Sequence, residues 1–153
     1  MSTDFKNKEI NNIMTSENFP YPLNVAMASA WILGNFKGLN LKVIHVANQT
    51  ALAEYFVLGS TNNAIQALSI ADEIAKVAME YNQPIVSQEG KDGSDWVLMD
   101  LGNVIVHIFN ESAREKYALD ELWIKAPQVE IPQTFYNSAP EVKPTTGPQG
   151  NYF

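Results

Sequence analysis

Asp100 and His107 are the residues of this chain best suited to acid–base chemistry, provided one surface presents them both. They lie on either side of Gly102-Asn103 in the segment WVLMDLGNVIVHIF, residues 96–109. Gly-Asn between two alternating apolar runs is the signal of a two-residue hairpin. With that loop Leu101 faces Val104, Asp100 faces Ile105, Leu98 faces His107 and Trp96 faces Phe109. Directly opposed residues share a face. One face is then Val97, Met99, Leu101, Val104, Val106 and Ile108, with no polar side-chain atom, and can only be core. The other is Trp96, Leu98, Asp100, Ile105, His107 and Phe109. An acid and an imidazole on one face form a minimal acid–base pair. No nucleophile accompanies them, so no catalytic residue is assigned.

Two other chemistries fail on residue count or placement. A metal centre needs at least three ligands, and beyond His107 there is only His45 and no cysteine. No metal site and no cofactor are expected. Gly59-Ser60, after an apolar strand and before a long helix, suggests the start of a nucleotidyltransferase-like fold. Such an enzyme holds Mg²⁺ with two acids at alternate strand positions. Here Asp72 and Glu73 are adjacent and fall within the helix, so they cannot converge on one ion. A nucleotidyltransferase-like enzyme or nucleotide-binding protein is therefore the alternative reading, resting on anion attraction by the backbone amides at 62–64.

The elements that position the hairpin follow from periodicity. Residues 24–36 carry Val25, Ala28, Ile32 and Phe36 at helical spacing, with Gly38 as a stop. Residues 41–47 and 52–58 read as strands. Asn62 or Asn63 caps a helix to about Tyr81, whose stripe Ala64, Leu68, Ala71, Ala75 and Ala78 faces a sheet. Residues 85–88 make a short strand and 90–95 a turn-rich loop. A helix follows the hairpin from Glu111 to about Trp123, capped by Asn110. The order αββαβββα predicts an α/β (α+β) fold. It has a mixed sheet of about five strands with flanking helices, in a nucleotidyltransferase-like topology without the catalytic acids.

The domain expected is 23–125. Residues 1–22, polar and rich in asparagine, read as a flexible N-terminal arm. Residues 126–153 hold Pro127, Pro132, Pro140, Pro144 and Pro148 and read as a disordered proline-rich tail. The net charge is −7 and Arg114 is the sole arginine. Nucleic-acid recognition, which relies on clustered basic residues, is therefore not expected. A basic protein partner suits such a chain better. With no apolar run of about 18 residues and no secretory or transit signal, no membrane contact is expected and a bacterial cytoplasmic location is.

Three stretches taken in order carry a family likeness: ALAEYFVLGSTNNAIQALSIADEI, then EG, then DWVLMDLGNVIVHIFNESAREKYALDELW. They resemble the ribosomal silencing factor (Iojap-like) family over residues 24–123. The third stretch is nearly unbroken from Trp96 to Trp123. Three features depart from the family pattern, one being that the proline-rich tail extends past the usual end of the domain. Gly59-Ser60-Thr61-Asn62 replaces its usual Thr-Gly or Ser-Gly, and His45-Val46-Ala47 stands where many members have Asp-Val. The resemblance implies a binding protein and no enzyme. Its partner would be ribosomal protein fourteen of the large subunit, and docking there would block subunit joining in starvation or stationary phase.

On this reading the mixed hairpin face is an exposed docking surface. Trp96, Leu98, Asp100, His107 and Phe109 form it, with Arg114, Glu115 and Tyr117 at its edge. A carboxylate is costly to bury unpaired, so Asp100 argues against a second covering layer. Arg114 would reach Asp100 or a partner's carboxylate. Leu98→Arg and His107→Glu are each expected to abolish docking and leave the fold intact. A homodimer of the free protein is another use of the same face.

Overall fold

The computed structural model describes residues 3–90 and 94–136. In chain order the elements are α1 (Thr3–Met14), α2 (Leu23–Asn35), β1 (Leu39–His45), β2 (Tyr55–Thr61), α3 (Ala64–Glu80), β3 (Ser87–Glu89), β4 (Trp96–Asp100), β5 (Val104–Asn110), α4 (Glu111–Tyr117), α5 (Leu119–Leu122) and β6 (Gln128–Val129). A short 3-10 turn, Gln133–Phe135, follows. The strands form one sheet in the order β3-β4-β5-β2-β1-β6. Only β2 and β5 pair in parallel.

The hairpin register is the one its two-residue turn dictates. Trp96 pairs with Phe109, Leu98 with His107 and Asp100 with Ile105. The Leu101 N–H donates to the Val104 carbonyl at 2.8 Å. Gly102 takes a φ of +87°, a value that glycine adopts without steric cost and that suits the first central position of a primed hairpin turn. Asp100 secures the turn by accepting the Gly102 N–H on Oδ1 at 2.9 Å.

Alternation along the strands divides the core in two. Val97, Met99, Leu101, Val104, Val106 and Ile108 are all buried beneath α1, α2 and α3. The long helix starts where Asn63 accepts the Gln66 N–H at 2.8 Å on its side chain, satisfying one free donor of the first turn. The opposite sheet face has a second, smaller core. Ile44, Phe56, Leu58, Ile105 and Phe109 meet Val46, Ala53, Ala113, Leu119 and Ala126 there.

Both predicted flanks differ from expectation. The arm 1–22 contains a packed helix: Lys6, Ile10 and Ile13 lie at positions i, i+4 and i+7 and are buried. Lys6 ion-pairs with Glu73 of α3, and Phe5 meets Trp31 at 6.2 Å between ring centroids. The asparagines fall around this stripe and mask its period. The tail expected from 126 begins as structure too. Ala126 and Phe135 are buried, and β6 joins the edge of β1, making six strands instead of about five. The expected disorder of 137–153, and three loop residues at 91–93, lie outside the described residues.

The helix expected from Glu111 to Trp123 is broken. Ala118 takes the left-handed conformation, φ 49° and ψ 42°, and separates α4 from α5. Gly59-Ser60 is not a strand-to-helix turn: both residues lie inside β2, which runs on to Thr61. A Cβ at Gly59 would come within 2.8 Å of the Leu33 side chain, so glycine here serves the close approach of α2.

Candidate docking surface on the second sheet face

The hairpin delivers Trp96, Leu98, His107 and Phe109 to one face, and α4 brings Tyr117 against them. Trp96 is the hub. Its ring centroid lies 4.9 Å from Phe109, 4.8 Å from Tyr117 and 5.8 Å from His107. The Trp96 indole N–H donates to His107 Nδ1 at 3.2 Å. Phe56 packs T-shaped against both His107, at 4.9 Å, and Trp123, at 5.1 Å.

This face is not open throughout. His107 is 5% exposed and Phe109 0%, so neither offers a contact surface. The loop after β1, through Val46 and Ala53, and the segment from α4 to Ala126 cover them. That covering layer tolerates Asp100 because the acid sits at the turn end of β4, half-buried and bonded to the turn backbone. Trp96 and Leu98 are half-buried, and Tyr117 is exposed. His107→Glu would thus bury a carboxylate, contrary to its expected innocence toward the fold.

Arg114 turns away from Asp100. Its Nε and Nη2 donate to Asp120 at 2.7 and 2.9 Å, and Nη1 donates to the buried Ser60 hydroxyl at 2.8 Å. Lys42 adds a second cation 2.9 Å from Asp120. Burial alone would raise the Asp120 pKa, but the bonds and charges of Arg114 and Lys42 outweigh it and hold the carboxyl well below its usual range. His107 goes down, to about 4, first because burial disfavours the imidazolium and then because Arg114 is near. It is therefore a neutral imidazole at pH 7.

Glu115 is exposed and, with Glu111 and Glu121, borders an open pocket of about 450 Å³ that Lys42, Arg114 and Asp120 also line. Beside it the end of α5 and the turn after it carry two residues that the sequence pattern did not single out. Leu122 is 71% exposed and Ile124 68%. The signal available was the apolar triplet Leu122-Trp123-Ile124 following an acidic helix. Trp123 folds in on Phe56 and its neighbours point out. Tyr117 is exposed and in ring contact with Trp96, and Leu122 and Ile124 are exposed in the segment that follows, among Glu115, Asp120 and Glu121; apolar side chains amid acids match the composition of an interface core with a polar rim.

No three metal-ligating side chains converge among the described residues. Asp72 and Glu73 lie on α3, with Glu73 engaged by Lys6. Among the described residues no helix is long and apolar enough to cross a membrane.

A mixed six-stranded sheet with α1, α2 and α3 on one face and an aromatic face on the other, partly covered by α4 and α5, defines a protein whose distinctive surface is suited to docking. A sequence profile described as "Ribosomal silencing factor during starvation" matches residues 22–150, and the chain belongs to that family. It is 38% identical over 97 residues to the ribosomal silencing factor of Halalkalibacterium halodurans, covering 63% of this chain and 74% of that one. Its identity to the Bacillus subtilis ribosomal silencing factor is 39% over 80 residues, 52% of this chain and 68% of the relative. A crystal structure of a Bacillus halodurans protein, 31% identical, superposes with a TM-score of 0.60 over 71% of this chain and 96% of its own. Membership implies a ribosome-associated silencing role, and these relatives are named as ribosomal silencing factors.

Proposed function

We propose that this protein represses translation by binding the large ribosomal subunit through ribosomal protein fourteen, where it sterically blocks the small subunit from joining in starvation or stationary phase. The observation that carries the reading is the exposed ring of Tyr117 packed against half-buried Trp96, with exposed Leu122 and Ile124 a few residues on, in a chain of net charge −7. Of the expected contact residues, Trp96, Leu98, Asp100, Glu115 and Tyr117 touch the partner. His107 and Phe109 support them from below, and Arg114 fixes the adjoining helix. An interface of about 1,600 Å² in total suffices for specific binding. The acidic border would speed encounter with a basic partner, so association falls as salt rises. The protein acts in the cytoplasm, where subunits are free to be captured.

Sedimentation of the purified protein with separated ribosomal subunits tests this. Co-migration with the large subunit, together with loss of subunit joining, is expected; migration with neither subunit overturns it. Self-association through the same patch is a competing use, read by light scattering with and without large subunits.

A further inference from the structure

The imidazole of His107 occupies a site that an all-carbon ring would fill at lower cost. It is wedged among Phe56, Trp96 and Phe109, with Phe109 stacked parallel to within 9°. Its Nε2 is buried without a hydrogen-bond partner among the described residues. A buried polar atom left unpaired costs free energy, so a purely apolar role would favour phenylalanine here. Among the described residues the imidazole makes one hydrogen bond, accepting the Trp96 indole N–H on Nδ1 at 3.2 Å. An accepting Nδ1 carries no proton, which assigns the neutral ring to the Nε2–H tautomer.

Trp96 is half-buried and has, besides His107, two ring neighbours, Phe109 inside and Tyr117 at the surface. Ring stacking alone leaves an indole free to slide or flip; a directional bond at Nε1 removes that freedom. We propose that His107 is a positioning residue which fixes the rotamer of Trp96, and through it the exposed ring of Tyr117, for partner docking. This rests on the docking reading of the preceding section. His107 itself never touches the partner. It acts by lowering the conformational cost of binding, since an anchor held in its bound rotamer loses less freedom on association.

Three measurements on the full chain test this. In the wild type at pH 7, two-bond ¹H–¹⁵N correlation of the imidazole should show the Nε2–H tautomer; an Nδ1–H tautomer overturns the proposal. His107→Phe keeps the aromatic volume and loses the acceptor. It should accelerate hydrogen exchange of the Trp96 indole N–H and weaken co-sedimentation with purified large subunits about tenfold. His107→Asn, whose Oδ1 sits near the place of Nδ1, should recover part of both. Wild-type binding by His107→Phe, or an Asn variant no better than Phe at equal thermal stability, overturns it. Should the Phe variant not fold, the wild-type tautomer and the Asn variant's indole exchange still decide. Trp96→Ala separates the two layers: undiminished binding there sinks the docking reading itself, whereas lost binding with an unaffected His107→Phe sinks the positioning role alone.

Discussion

Arg114 grips Asp120 with two nitrogens across the left-handed turn at Ala118, Nε to Oδ1 at 2.7 Å and Nη2 to Oδ2 at 2.9 Å. Its remaining nitrogen reaches Ser60, so one side chain ties α4 and α5 to β2. The planar guanidinium meets the carboxylate with both prongs, a geometry that lysine cannot reproduce. The sole arginine of the chain therefore organises the edge of the candidate docking surface from within.

Breaking that tie should cost stability. Arg114→Ala leaves Asp120 with Lys42 alone and the Ser60 hydroxyl without its donor, a loss of about 2 kcal/mol. Arg114→Lys should recover less than half of it. Urea denaturation measures both, and an Arg114→Ala midpoint equal to wild type would refute the structural role.

Leu122→Arg should leave the midpoint of unfolding within about 0.5 kcal/mol of wild type, as most exposed substitutions do. It should nonetheless weaken large-subunit binding tenfold or more, by removing an apolar contact and adding a charge that a basic partner repels. Leu98→Arg, half-buried at the margin of the second core, should lose binding and about 1 kcal/mol of stability. His107→Glu should unfold the domain, at a cost of about 4 kcal/mol or more. Circular dichroism beside sedimentation separates the three.

Acid should destabilise the fold in a defined window. The His107 pKa is depressed from 6.5 to about 4, so between these values the unfolded chain binds the proton and the folded one does not. Stability is full above pH 6.5 and falls as pH drops toward 4, by up to about 3 kcal/mol from this residue. Asp120, also depressed, adds its loss in more acidic solution, below its ordinary range near 3.8. In His107→Asn the component of the loss between pH 6.5 and 4 due to this imidazole should vanish. Thermal melts across pH 4–7.5 check this.

Ala118→Gly should stabilise the protein. A Cβ in the left-handed region costs roughly 1–2 kcal/mol, which glycine avoids, while its freer unfolded chain returns part of that. A net gain of about 0.5 kcal/mol is expected by urea denaturation. Partner binding should not change, since the turn keeps its shape.

Local rules carried far in this chain. The Gly102-Asn103 turn and the two-residue period of its strands set every facing pair from Trp96 to Phe109, because hairpin register is decided within a dozen residues. A cap at Asn62 or Asn63 was legible for the same reason, and the structure selects Asn63. The α1 helix was not legible: its buried stripe is two isoleucines and a lysine, which gain stability only on packing against the rest of the domain and pairing with Glu73, and asparagine lowers its intrinsic preference. The break at Ala118 was invisible because no glycine marks it; the Arg114–Asp120 pair and the burial of Leu119 hold alanine in a conformation it would otherwise avoid.

The candidate site divides along the same line. From sequence alone came which side chains share a face, because parity along a strand is covalent geometry. Whether that face meets solvent depended on residues 46–53 and 111–126 folding back over it, contacts distant in sequence that no local pattern encodes. Parity therefore put His107 and Phe109 beside Trp96 and Leu98. Tertiary packing buried the first two, left the second two half-open, and set the exposed ring of Tyr117 against Trp96, because the covering layer closes over His107 and Phe109 and only partly over Trp96 and Leu98.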